Sequence, residues 1–115
     1  MTEDSRRKHT RHNVRWSCRL LLPDKTILNA SVKNISMGGV GIEVSQMIPV
    51  GQILNFEMRP MVLGQAFLFR AKAEATFSMI LGGGGGYSQG LRFTLVPDEH
   101  KKSMLAIIKI LSSGK

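Results

Sequence analysis

Leu28-Asn29-Ala30-Ser31-Val32-Lys33-Asn34-Ile35-Ser36-Met37-Gly38-Gly39-Val40-Gly41-Ile42-Glu43-Val44 is the stretch that decides the fold. Leu28, Ala30 and Val32 alternate with Asn29, Ser31 and Lys33. A period of two puts one set on a buried face and the other in water, which is a half-buried strand. Val40, Ile42 and Val44 repeat the pattern against Gly41, Glu43 and Ser45, so another strand begins as soon as Gly38-Gly39 has passed. Glycine permits positive φ and close approach of backbone, which suits so short a break.

The same alternation extends in both directions. Val14, Trp16, Cys18, Leu20 and Leu22 share one face of a first strand, with Arg15, Ser17 and Arg19 on the other. Pro23-Asp24-Lys25 marks the turn that returns it as a hairpin. Beyond Val44, Pro49-Val50-Gly51 is a turn, and Leu54, Phe56 and Met58 make a fourth strand ended by Pro60. Residues 66–77 are predicted as a longer strand. Phe67, Phe69, Ala71, Ala73, Ala75 and Phe77 lie on its inner face, opposite Arg70, Lys72 and Glu74. Gly82 to Gly86 form a hairpin loop, since no Lys-Ser/Thr follows to make them a phosphate loop. Tyr87, Gln89, Leu91, Phe93 and Leu95 define the last strand. After Pro97, Asp98 is a predicted N-cap and His100 an exposed first-turn residue. Met104, Leu105, Ile107, Ile108 and Leu111 form one helical stripe, with Gly114 as the stop. The fold class is therefore all-β with a C-terminal helix: a small six-stranded antiparallel β-barrel. Residues 1–12 are expected to be a flexible basic N-terminal arm and residues 13–115 the barrel domain.

The 115 residues suit one domain, and 43% hydrophobic residues suffice for a core. The net charge is +8, and Arg6, Arg7, Lys8, Arg11, Arg15 and Arg19 face only Glu3 and Asp4 in the first nineteen residues. With a pI of about 10.3, such a surface attracts phosphates of any kind. One cysteine excludes an intrachain disulfide. Neither a signal peptide nor a transmembrane run is evident, so a cytoplasmic protein without membrane insertion is expected.

Catalytic and metal constellations are not supported. His9 and His12 belong with the charged arm, and no cysteine pair accompanies them. Cys18 alternates onto a core face. The carboxylates are scattered over arm, turns and strand faces. A binding module rather than an enzyme is expected. A barrel for RNA or single-stranded DNA would need aromatic side chains on an exposed face, whereas most of these alternate inward, so nucleic acid is disfavoured.

Two motifs remain. Arg7-Lys8-His9-Thr10-Arg11 has the form R-x-x-x-R, preceded by Arg6, and Asn34-Ile35-Ser36-Met37-Gly38-Gly39 has the form N-x-S-x-x-G. In this order on a six-strand pattern, with Gly90-Leu91-Arg92-Phe93 and a closing helix behind them, they resemble the PilZ domain family of bacterial cyclic di-GMP receptors. The resemblance implies a ligand site made by Arg6, Arg7, Arg11, Asn34, Ser36 and Gly39, with no cofactor beyond the ligand. It also implies a monomer or weak dimer that changes conformation and signals to an effector protein, for example in motility, exopolysaccharide or biofilm control. A PilZ-like module that docks proteins without ligand is the alternative. Arg11-His12-Asn13-Val14-Arg15 repeats the arginine spacing. In the family the second arginine directly precedes the first strand, which favours Arg7 and Arg11 and leaves Arg6 and Arg15 as auxiliary charges. Arginine's planar fork can bond guanine O6 and N7 together or bridge phosphate oxygens, which lysine cannot reproduce. Asn34 would meet a guanine edge, Ser36 would donate to a phosphate, and Gly39 would let the backbone approach. Phe77 is a candidate for stacking on a guanine, set against its reading as a core residue. Arg92 is either a solvated charge or part of the ligand surface.

Overall fold

The computed structural model describes residues 10–113. Eight strands appear in order: β1 (His12–Leu21), β2 (Ile27–Ile35), β3 (Gly39–Val44), β4 (Ile53–Met58), β5 (Met61–Val62), β6 (Gln65–Ala66), β7 (Phe69–Ile80) and β8 (Tyr87–Leu95). One helix, α1 (Asp98–Ser113), follows. Six strands close into an antiparallel barrel in the order β1-β2-β3-β8-β7-β4, and β5 pairs with β6 as a separate small hairpin. The fold class read from the alternation is the one observed.

The alternating apolar residues fill the barrel. Leu20, Val32, Ile35, Ile42, Phe56 and Phe69 are essentially inaccessible to water. Each such side chain contributes about 1.5–3 kcal/mol of transfer free energy. Phe69 lies 5.0 Å from Phe93 and 6.1 Å from Phe56, centroid to centroid, so three rings form one cluster in the interior. The inner face of β7 carries only Ala71, Ala73 and Ala75 beyond Phe69, all buried. Small residues on one strand give these rings room in a narrow barrel.

Several sequence expectations change. The predicted strand over 66–77 starts later and runs further, because residues 61–66 form the β5–β6 hairpin first. Its turn is Leu63-Gly64, both at positive φ (49° and 79°), and the Phe67 N–H then donates to the Pro60 carbonyl at 3.0 Å. Within β7, register shifts between Ala75 and Phe77, so Ala75 pairs with Leu91 while Phe77 pairs with Gly90. Thr76 is the extra residue of a β-bulge, and it turns Phe77 out of the core to 41% exposure. In α1, His100 is buried rather than exposed: its ring meets Phe69 edge-on at 6.2 Å, with Nδ1 3.4 Å from the Leu68 carbonyl oxygen. Asp98 lies inside the helix, and the Pro97 carbonyl accepts from the N–H groups of His100 and Lys101, both at 2.9 Å. Met104 and Ile107 dock on the barrel, but Leu105 of the expected stripe faces water. The helix packs against β7 and β1.

Gln89 is the most deeply buried polar residue among those described. Fully buried, it donates from Nε2 to the Ile48 carbonyl (2.8 Å) and accepts at Oε1 from the Ile48 N–H (2.7 Å). This pair pins the β3–β4 connection against β8. Replacing Gln89 by Leu orphans both backbone groups of Ile48, each costing about 1–3 kcal/mol when buried. Urea denaturation is expected to show a loss of about 2–4 kcal/mol with an unchanged m value.

On the outer surface, Arg19, Glu57 and Arg70 line up across β1, β4 and β7. The Arg70 Nε–H donates to the Glu57 carboxylate at 2.8 Å. That bond, reinforced by the charges of Arg59 and Arg70, holds the carboxyl below its ordinary range. A lowered folded-state pKa gives stability that is present above the unfolded value and lost as pH falls through the folded one. Thermal denaturation from pH 6 to pH 2 is expected to show a smaller stability loss in Glu57→Gln than in the wild type.

Candidate ligand-binding site

The site is built where β2, β3, β8 and β7 lie side by side. One row of paired residues crosses all four strands: Asn34 with Gly41, Gly41 with Gly90, and Gly90 with Phe77. Val40 and Ile42 point inward, as do Gln89 and Leu91, so Gly41 and Gly90 put no side chain on the outer face, and Gly90 is itself buried. Asn34 and Phe77 lean over this backbone from opposite sides. A Cβ on Gly41 would lie 2.6 Å from Asn34 Nδ2, and a Cβ on Gly90 would lie 2.4 Å from the Phe77 ring. The glycines are thus a floor, with an amide on one side and an aromatic ring on the other.

The β2–β3 connection closes one end. The Ser36 N–H donates to the Gly39 carbonyl at 2.9 Å, and the Gly38 N–H donates to Ser36 Oγ at 3.2 Å. Ser36 Oγ itself donates to the Gly39 carbonyl over 3.4 Å, a long and weak bond. Ser36 therefore both builds the turn and retains a donor that can be redirected. A Cβ on Gly39 would sit 2.1 Å from the Leu91 carbonyl oxygen, so β3 approaches β8 here as only glycine allows.

Arg11, Asn34, Ser36, Gly39, Phe77 and Arg92 surround a shallow cavity of about 260 Å³. Four of the six sequence-derived positions thus come together. The other two, Arg6 and Arg7, lie outside the described residues. Arg15 does not join them, since it points to another cavity between β1 and β4. Arg92 lines the groove and is ion-paired with Glu74 on the neighbouring strand. Sequence reasoning left Phe77 with two readings because strict alternation sends it inward, and the bulge at Thr76 leaves no local signature. Gly41 was legible as an outward glycine on a strand, a pattern that often marks close approach of a ligand or backbone.

The arrangement suits a planar, anionic guest. The Phe77 face offers stacking, Arg11 and Arg92 offer charge, and Asn34 and Ser36 offer hydrogen bonds. Among the described residues, no cysteine, histidine or carboxylate lines the groove. Cys18 is buried in the core, which pushes its thiol up to about 12 and keeps it protonated. Among the described residues there is no cluster of three or more His, Cys, Asp or Glu side chains able to hold a metal ion. Phe77 is the only exposed aromatic side chain among them, so a stacking row for single-stranded nucleic acid is not formed there. No helix of the described residues is long and apolar enough to cross a membrane.

Comparison with known proteins agrees with this fold. The PilZ domain family matches residues 5–109. No curated protein matches the chain. Among solved structures, the Bacillus subtilis inhibitor of motility (MotI/DgrA) superposes with a TM-score of 0.78 at 13% identity, over 96% of this chain and 53% of that one. The chain thus spans about half the length of that relative. The PilZ domain of YcgR from Escherichia coli, solved with c-di-GMP, gives 0.69 at 21% identity over 95% of this chain and 93% of that one. The PilZ domain of CeSA from a cellulose-synthesizing bacterium gives 0.57 at 15% identity, over 90% and 96% respectively. At these identities the likeness is one of fold.

The glycine contacts differ in what a methyl would meet. At Gly39 it meets backbone, which cannot move without parting β3 from β8. At Gly41 it meets the end of a side chain. Gly39→Ala is expected to cost about 3 kcal/mol, at the upper end of overpacking penalties, and Gly41→Ala about 1 kcal/mol or less. Chemical denaturation of the two variants side by side checks this ordering.

Proposed function

We propose, from the premise that this chain belongs to the PilZ domain family, that it is a non-enzymatic receptor for cyclic di-GMP and passes the signal to an effector protein. One observation carries the reading: Arg11, Asn34, Ser36 and Gly39, the motif positions within the described residues, border a single groove floored by glycines. The Escherichia coli YcgR PilZ domain, similar in fold and solved with c-di-GMP, supports the choice of ligand.

Each side chain then has a task. A guanine stacks on the exposed face of the Phe77 ring that covers Gly90. Asn34 meets the base edge. Ser36 turns its hydroxyl from Gly39 toward a phosphate oxygen. Arg11 and Arg7, with Arg6 as a further charge, grip phosphate and guanine O6/N7 from the strand entry. The Arg7/Arg11 pair is preferred over Arg11/Arg15 because Arg15 faces a different cavity. Holding the Arg7 side chain at the ligand costs entropy, which charge-assisted hydrogen bonds offset. Ligand and arginines together present a changed surface beside β1, which is what an effector reads. We place this activity in the cytoplasm, with motility or exopolysaccharide control as the kind of output.

Isothermal titration with cyclic di-GMP tests the reading. Saturable binding is expected, with a stoichiometry that tells one ligand molecule from a stacked pair. Arg7→Ala and Arg11→Ala are each expected to weaken binding at least about tenfold, equivalent to about 1.4 kcal/mol, with thermal stability unchanged. Ser36→Ala should weaken it less. Wild-type protein giving neither heat nor affinity would remove the proposal.

A further inference from the structure

A second surface lies outside the ligand groove, where β1 meets β4. Pairing between these strands runs from Cys18–Met58 to Leu21–Asn55 and stops there. β4 ends at Met58, and the chain turns away at Arg59-Pro60 into the β5–β6 hairpin. Proline carries no N–H to continue a ladder. Among the described residues, β1 from His12 to Ser17 therefore pairs with β2 alone, through a bulge at Val14-Arg15, and has no strand on its other side. The end of α1 reaches His12, with Ser112 Oγ 3.5 Å from Nε2. Beyond that point, Arg15, Trp16 and Ser17 face a cavity of about 560 Å³, roughly twice the volume of the ligand groove at about 260 Å³.

The charge around this edge is one-sided. Arg15, Arg19 and Arg59 line the cavity together with a single carboxylate, Glu57. That carboxylate is bonded to Arg70 at 2.8 Å, with Arg59 at 3.5 Å and Arg19 at 4.0 Å. Three guanidiniums share one negative charge, and Arg15 adds a fourth cation. At the rim, Met61 is 63% exposed and opens a hairpin whose tip is Leu63, 87% exposed at a positive φ of 49°. Asn would fill such a turn at lower cost in both backbone and solvation.

We infer that the open edge of β1 at Arg15–Ser17 accepts an extended acidic segment of a partner protein as an added strand, with Met61 and Leu63 as apolar contacts at its rim. An open strand edge offers N–H donors and C=O acceptors in alternation. Nucleic acid and lipid headgroups bring phosphate acceptors to such an edge, and only a polypeptide backbone answers both kinds of group in register. The surplus arginines select acidic side chains on that polypeptide. The surface lies on the same strand that Arg11 leads into, on a different face from the glycine groove. It requires no dinucleotide, so its test stands apart from the test of ligand binding.

The probe is a fluorescein-labelled peptide of alternating Glu and Val, twelve residues long, added to the full chain at 0.15 M salt without nucleotide. Saturable anisotropy is expected, together with slower amide hydrogen exchange at Arg15, Trp16 and Ser17. Arg19→Glu/Arg59→Glu is expected to weaken binding at least tenfold, and Leu63→Asn several-fold, in variants whose circular dichroism melts match the wild type. Exchange is measured on the wild type, so it decides the matter even if a variant fails to fold. Binding without protection of these amides would reduce the contact to charge attraction and overturn strand addition. Equal or tighter binding of a twelve-nucleotide oligothymidylate, or co-sedimentation with phosphatidylglycerol vesicles lost in Leu63→Asn, would assign the surface to nucleic acid or membrane instead. Absence of peptide binding would also overturn it.

Discussion

The close approach of β3 to β8 is the constraint on which the rest of the site depends. At Gly39 the space for a Cβ is already taken by the Leu91 carbonyl oxygen, 2.1 Å away. The next outward pair, Gly41 with Gly90, continues that bare strip. Asn34 and Phe77 can lean over it only because nothing stands on it. A barrel of this kind ordinarily covers its outer face with polar side chains on every strand. Here two neighbouring strands carry glycine at one row, and the side chains of Asn34 and Phe77 fold over it from either side.

The closed barrel makes this arrangement firm. Each of the six strands has two neighbours, the interior is filled by Phe56, Phe69 and Phe93 against the alanines of β7, and α1 seals one side through Met104 and Ile107. Gln89 ties the β3–β4 connection to β8 through both backbone groups of Ile48. Asn34, Phe77 and Arg92 thus stand on strands, where rotamer and direction are set by packing, while Arg11 and Ser36 sit at strand ends.

Much of this was legible in the residues. Alternation located five of the six barrel strands closely, and two short motifs selected Arg11, Asn34, Ser36 and Gly39, which the fold brings together although β1 separates the first from the rest. What alternation could not show was where it breaks. Thr76 adds one residue to β7, and from there every side chain changes face, which brings Phe77 out of the core and into the groove. His100 reads as a solvated helix start because the ring that buries it, Phe69, lies thirty-one positions earlier and on another element. The β5–β6 hairpin depends on Leu63 adopting positive φ, a conformation that the identity of the residue argues against. The first two misses share a cause: each is settled by a partner distant in sequence. Arg6 and Arg7 remain sequence-derived positions, outside the described residues.

The barrel thus carries two unlike surfaces: the groove beside the glycine strip and, across β1, a surface of surplus arginine. The central claim is that the strip is where cyclic di-GMP binds. An amide chemical-shift titration of the uniformly ¹⁵N-labelled chain with that dinucleotide tests it most directly. The expected result is a set of large shifts confined to Arg11, Ser36, Gly39, Gly41, Phe77 and Gly90, with Arg19 and Arg59 unmoved. Shifts centred on Arg15, Arg19 and Arg59 with the glycine row unmoved would contradict it.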